Sequence, residues 1–209
     1  MARAATNLST SRSAGFGMTA KRIPVLYFVA ALMFAIRPAA AGTQEQQLLE
    51  TVRGFYGWAL QNGDQTVKLE PRIKDIAGST RFYLDMTTLT PFTARFMQSG
   101  YFAADFPDAV ARYYRRYDAQ FKTLKQAEFD EMARDGRGPQ MDVEDMDIFF
   151  CAQEYEYKRK FIQGMKIKSA SFAASTAQAV IVSPYKWETT FHFRKVGSRW
   201  LIAGYCVFE

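Results

Sequence analysis

The sequence predicts an α+β domain, with helices first and an antiparallel meander of four strands at the end. Three observations carry that prediction. Apolar residues recur at helical spacing between Thr43 and Arg134, the period changes to alternation after Met165, and short turn signals separate the alternating segments. One domain is expected over residues 42–209, which is length enough for a core and shows neither an internal repeat nor a low-complexity linker.

The first helix is expected to open at Thr43, with Gln46 three residues on as its capping-box partner. Its stripe is Leu48, Leu49, Val52, Phe55, Tyr56, Ala59 and Leu60, and Asn62-Gly63 supplies a stop. Val67 to Gly78 has no clear period and contains Pro71, so it reads as a loop. Thr90-Pro91 reads as an N-cap followed by a first-turn proline, opening a short helix to about Gln98. The longest helix is expected from about Pro107 to Arg134, with Val110, Tyr113, Tyr114, Tyr117, Phe121, Leu124 and Met132 on its buried face and Gly136 and Gly138-Pro139 at its end. An acidic connector with Asp142, Glu144, Asp145 and Asp147 then leads into Ile148-Phe149-Phe150-Cys151.

The strands are expected at Lys166–Ala173, Ala177–Val182, Trp187–Val196 and Arg199–Phe208. If Gly197-Ser198 is a two-residue hairpin loop, the register of the last pair follows. Lys195, Phe193, Phe191, Thr189 and Trp187 then stand opposite Trp200, Ile202, Gly204, Cys206 and Phe208 on the face under the helices. Arg194, His192, Thr190 and Glu188 stand opposite Leu201, Ala203, Tyr205 and Val207 on the other face. Gly204 would leave room beneath Phe191, for the ring or for a pocket.

Residues 1–41 hold five basic residues and no acidic one; Lys21-Arg22 precede the apolar run Val25 to Ile36, and Ala39-Ala40-Ala41 follows it. This is the pattern of a secretory signal peptide cleaved after Ala41. The run is shorter than the roughly 20 apolar residues of a membrane span, although an uncleaved anchor is the other reading. No cysteine follows it, so a lipoprotein signal is not expected, and translation could start at Met1 or Met18. The whole chain carries +6, but five of its 27 basic residues precede Gly42, leaving 22 against 21 acidic ones, or +1. Nucleic-acid binding needs a concentrated cationic excess, and this balance argues against it. Cys151 and Cys206 are an even pair in an exported chain and are expected to form a disulfide, with two buried thiols as the alternative.

Few residues suggest catalysis. His192 is the one histidine, and alternation places it on the face away from the aromatic core, so no catalytic residue is assigned. Histidine-rich and Cys-x-x-Cys metal sites are excluded, and Asp142–Asp147 lacks the calcium-loop pattern; it reads as a connector whose last acid caps the next turn. Arg112, Arg115, Arg116 and Lys122 alternate with aromatics but flank a buried helical stripe, and Lys158-Arg159-Lys160 is a smaller basic cluster. No phosphate loop, nucleotide fingerprint or nucleophile elbow is present, and neither cofactor nor metal is expected.

Phe55-Tyr56-Gly57-Trp58 resembles the Phe-Tyr-x-Trp opening of exported bacterial proteins of the domain of unknown function 3828 family. Asp145 to Glu154 is similar to that family's acidic, phenylalanine-containing segment, with Ile148 where proline is expected and Glu154 in place of aspartate. Gly197-Ser198-Arg199-Trp200-Leu201-Ile202 resembles the last hairpin of the wider nuclear-transport-factor-2-like superfamily. The resemblance implies a cone of helices packed into a curved antiparallel sheet, often around a pocket. It implies no activity, because that superfamily holds enzymes, binders and dimerisation modules.

The leading expectation is a soluble periplasmic or secreted, non-enzymatic binding or accessory protein, with an immunity-type role as one version. Its partner face would be Thr190, His192, Leu201, Ala203, Tyr205 and Val207, offered to another protein or to a second copy. The alternative is a small-molecule binder or enzyme using the cone interior, with Trp187, Phe191, Phe193 and Trp200 as lining. The two separate on whether those aromatics leave the interior open.

Overall fold

The helical stripe of Leu48 to Ala59 becomes the buried face of α1, which spans Ala39–Val67. The structure is a computed structural model describing residues 39–142, 146–153 and 157–209. Residues 1–38 of the expected signal, including Met18, lie outside the described residues, as do Glu144, Asp145 and Glu154. Thr43 lies inside α1, which begins upstream of it and continues through Asn62-Gly63 to Val67. The glycine serves space there: a Cβ at Gly63 would sit 3.3 Å from the Phe149 ring. Thr66, fully buried, donates its hydroxyl to Asn62 O and carries the helix one more turn. Leu60 falls off the stripe and is 41% exposed. Pro71 follows the helix end, where a missing N–H costs nothing.

The expected loop after α1 contains a strand. Arg72–Asp75 (β1) pairs antiparallel with Phe82–Asp85 (β2), and Gly78 takes a φ of +73° in the turn between them. Alternation over four residues is too short a pattern to read against Pro71 and three charged side chains. Asp85 then accepts from Thr87 N at 3.1 Å and caps a single 3₁₀ turn, Met86–Thr88, which runs into α2, Leu89–Gln98. The expected cap at Thr90 is therefore two positions late, because the 3₁₀ turn supplies the entry.

The long helix expected over 107–134 is two helices. α3 spans Phe106–Thr123 and α4 spans Gln126–Arg134, with Leu124 and Lys125 extended between them. No glycine or proline marks the break. Glu128 marks it instead, by accepting from Lys125 N at 2.8 Å, which is the reach-back half of a capping box. The break turns Phe129 onto Phe82 (centroids 6.3 Å apart) and brings Asp130 to the Thr80 hydroxyl at 2.6 Å, so α4 seats on the β1–β2 hairpin.

Asp147 caps the next turn as expected: its carboxylate accepts from Phe149 N and Phe150 N at 2.8 and 3.0 Å. That turn delivers Ile148, Phe149 and Phe150 to the core. A disulfide joins Cys151 to Cys206, with Cα atoms 5.9 Å apart. After it come α5, Arg159–Gly164, and the sheet of β3 (Lys166–Phe172), β4 (Thr176–Val182), β5 (Glu188–Val196) and β6 (Arg199–Tyr205). The order is β3-β4-β5-β6, all antiparallel, the expected meander. Helix α1 covers one face of it: Thr51 donates to Trp200 O at 3.0 Å, and Arg53 donates to Gln163 O and Met165 O beside the start of β3. The free edge of β6 is paired by Tyr101–Ala103, with Ile202 N donating to Tyr101 O and Ala103 N to Ile202 O, both at 2.8 Å.

The predicted hairpin register holds from Val196–Arg199 to Phe193–Ile202 and then shifts. A bulge leaves Ala203 without a partner, so His192 faces Gly204 and Phe191 faces Tyr205. One inserted residue moves every later side chain to the opposite face. Tyr205 therefore joins the core, fully buried, instead of the partner face, and Val207 packs against that core. Strand β6 ends at Tyr205, because Phe208 N donates to Tyr205 O and Tyr205 N to Phe208 O in a tight terminal turn. Gly204 opens no pocket under Phe191. A Cβ there would lie 2.7 Å from Phe208 O, so the missing side chain accommodates the C-terminal turn.

Candidate functional site

Two places match the residue sets expected from sequence: the sheet interior and the sheet's outer face. The interior is occupied. Phe191, Phe193 and Trp200 are 0%, 1% and 3% exposed. Phe191 stacks on Tyr205 at 5.2 Å and 4°, meets Phe193 at 6.1 Å and meets Tyr56 of α1 at 6.0 Å, while Trp200 packs on Phe172 at 5.9 Å. Trp187 is separated from these three. It precedes β5, next to Lys186 with its φ of +68°, and packs against Tyr157, Phe161 and Tyr185 at the β4–β5 turn.

Beneath the sheet, tyrosines and carboxylates do converge. Tyr114 donates to Glu70 at 2.8 Å, Tyr205 donates to Ile148 O at 2.8 Å, and Asp147 sits among the same groups. Burial raises the Glu70 carboxyl above its ordinary range, opposed by the Tyr114 hydrogen bond, and burial likewise raises Asp147. Burial pushes the phenols of Tyr56, Tyr114 and Tyr205 up, which keeps them neutral donors. Each hydroxyl or carboxylate is tied to a neighbour or a turn, so the cluster holds the core together. Sequence reasoning missed the Glu70–Tyr114 bond because Glu70 lies in a stretch without periodicity.

The outer face is built by alternation. Glu188, Thr190, His192 and Arg194 of β5 point there, with Thr176, Gln178, Val180 and Val182 of β4 and Leu201 of β6. Ala203 stands at the bulge, half-buried. Val180 pairs with Thr190, Gln178 with His192, and Arg194 with both Thr176 and Leu201. The β4 residues were legible in the alternation of that strand, once β4 was placed beside β5. Of the expected partner face, Thr190, His192, Leu201 and Ala203 are thus brought together, and Tyr205 and Val207 are not.

The charges of Glu188 and Arg194 on this face are compensated within the chain. Lys168 donates to both Glu188 oxygens, at 2.6 and 2.8 Å. Arg194 pairs with Asp105 at the start of α3, its Nε 3.1 Å from the carboxylate. His192 Nε2 lies 3.7 Å from Glu209 Oε1, too far for a hydrogen bond. A shallow open groove of about 440 Å³ runs across Ser171, Thr176, Gln178, His192 and Ala203. No hydroxyl or thiol is hydrogen-bonded to the imidazole among the described residues, and among them no group of three or more His, Cys, Asp or Glu is placed to hold a metal ion.

No helix among the described residues is long and apolar enough to cross a membrane. Comparisons of the chain with protein-family models, with curated proteins and with solved structures found no match.

Proposed function

We propose that the protein is an exported, non-enzymatic binding or accessory protein that works through protein–protein contacts at the outer face of its sheet. The observation that carries this is the make-up of that face: a half-exposed centre of Val180, Thr190, Leu201 and Ala203, with the flanking charges of Glu188 and Arg194 already paired inside the chain. Burying such a face strands few charges, which is the condition for a well-packed interface core. A second copy of the chain is the first partner to consider, since the centre of the face carries no charged side chain and can meet itself without like-charge repulsion. A toxin received in an immunity-type role is another version of the same surface.

Edge pairing is the less favoured mode. The free edge, β3, carries Lys166 and Lys168 and a register shift between Ile167 and Ser169, features that blunt strand addition. The disulfide is consistent with an oxidising, extracytoplasmic location, and a signal at residues 1–41 would deliver the chain there. The resemblance to the domain of unknown function 3828 family, with its nuclear-transport-factor-2-like cone, fits the order of elements. Its motif residues Phe55, Tyr56 and Asp147 serve the core and a turn, so they speak for architecture and not for activity. The interior-pocket reading has less support, because Phe191, Phe193 and Trp200 fill the space they were expected to line.

The test is a face substitution. Leu201→Glu places a charge at the centre of the face while leaving the inner residues untouched. The melting temperature should stay within a few degrees, and self-association or partner capture seen with the wild-type chain should be lost.

A further inference from the structure

A second concavity, of about 540 Å³, lies between the β1–β2 hairpin and α3 and shares no lining residue with the groove on the sheet. That volume falls in the range of roughly 300–1,000 Å³ common to small-molecule sites. One wall is β2 with its flanks, which contributes Arg81, Phe82, Leu84 and Met86. The other is the last turns of α3, with Phe121 beside Asp118 and Lys122. Ile76 and Tyr83 complete the lining, and each is 43% exposed although large and mostly apolar. Apolar surface left in water along a groove favours an occupant that covers it.

Charge selects the kind of occupant. The Arg81 guanidinium lies over the Phe129 ring, 5.2 Å from its centroid, and pairs with no carboxylate among the described residues. The neighbouring acids are taken: Lys122 holds Asp118 at 2.7 Å, Lys74 pairs with Asp85, and Asp130 accepts from Thr80 and Gln126. A guanidinium laid flat on a ring keeps its N–H edge for a carboxylate. Beyond Arg81 the β2 wall is lined by apolar side chains, over a strand length of roughly 13 Å. One anion at one end with an alkyl chain behind it matches that layout. A peptide matches it less well, because Leu84 is buried where β2 packs on α3 and presents no open backbone ladder.

We propose that this groove binds a free long-chain fatty acid, its carboxylate on Arg81 and its alkyl chain between β2 and Phe121. The site is independent of the sheet-face reading. The test is calorimetric titration of the purified protein with laurate below its micelle concentration, with amide chemical shifts followed in parallel. Dodecyltrimethylammonium, which has the same chain and the opposite charge, and the peptide acetyl-Val-Glu-Val-Glu-Val-amide are the controls. Co-sedimentation with phosphatidylglycerol vesicles runs alongside. Expected are saturable binding of laurate, shifts centred on residues 81–86 and Phe121, and at least a tenfold loss of affinity in both Arg81→Glu and Tyr83→Glu. Both side chains are exposed, so both variants should keep the wild-type melting temperature within a few degrees. No saturable binding, equal binding of dodecyltrimethylammonium, tighter binding of the peptide, shifts centred on the outer sheet face, unchanged affinity in a folded Arg81→Glu protein, or binding to the vesicles only would each overturn the proposal.

Discussion

Tyr205 shows how one residue can change sides. Its ring stacks on Phe191, and its hydroxyl gives Ile148 O a partner at 2.8 Å in a fully buried place. Removing only that hydroxyl leaves a buried carbonyl unsatisfied, so Tyr205→Phe should cost about 1–3 kcal/mol in urea denaturation. A surface tyrosine would tolerate the same change within about 0.5 kcal/mol. At this scale the pH dependence is also decided. Glu70 and Asp147 have carboxyl groups raised in the folded state by burial, so their contribution is fully present below the ordinary carboxylate range and is lost as pH rises through the raised values. Asp85 works in the opposite sense. The Lys74 and Thr87 hydrogen bonds hold it down to about 2, and its contribution is lost only as pH falls towards that value. The melting temperature should therefore rise as pH falls from neutral towards the ordinary carboxylate range, and Glu70→Gln with Asp147→Asn should flatten that rise.

Among the elements, the 146–153 segment depends most on covalent chemistry. It has no regular structure of its own, yet it supplies Ile148, Phe149 and Phe150 to the core, held by the Asp147 cap, the Tyr205 hydroxyl and the disulfide. Both cysteines have positive φ, +53° and +59°, which non-glycine residues seldom adopt unless something fixes them. The bridge spans 55 residues, and for a loop of that size the chain-entropy model gives about 4 kcal/mol. Cys151→Ser with Cys206→Ser should lose stability of that order, with amide exchange rising first in the 146–153 segment. The elements also show why reading stops where it does. The meander, the α1 stripe and the disulfide were legible because alternation, helical spacing and an even cysteine pair are strong signals. The α3–α4 break was not, because Leu124 and Lys125 carry no breaker and only tertiary contacts of Phe129 and Asp130 with the hairpin select the bend. Nor was the bulge at Ala203, whose cause is the terminal turn of Phe208 back onto Tyr205, a contact that register arithmetic does not contain.

For the whole molecule, the consequence is a sheet with one face fully used and one left over. The helices and the 146–153 turn cover the aromatic face, while the outer face keeps Thr190, His192, Leu201 and Ala203 half-exposed beside Val180 and Val182. Half of that candidate site was legible in the alternation of β5 and β6. The compensating partner Asp105 was not, because it comes from a helix start far away in sequence. The most direct measurement of the partner-face reading is sedimentation equilibrium of the wild-type and Leu201→Glu proteins, each also used as bait for capture from an envelope extract. The expected result is association by the wild type, with itself or with a captured protein, and its loss in a Leu201→Glu variant of unchanged melting temperature. A wild-type chain that stays monomeric at high concentration and captures nothing, or an association that Leu201→Glu leaves intact, would contradict it.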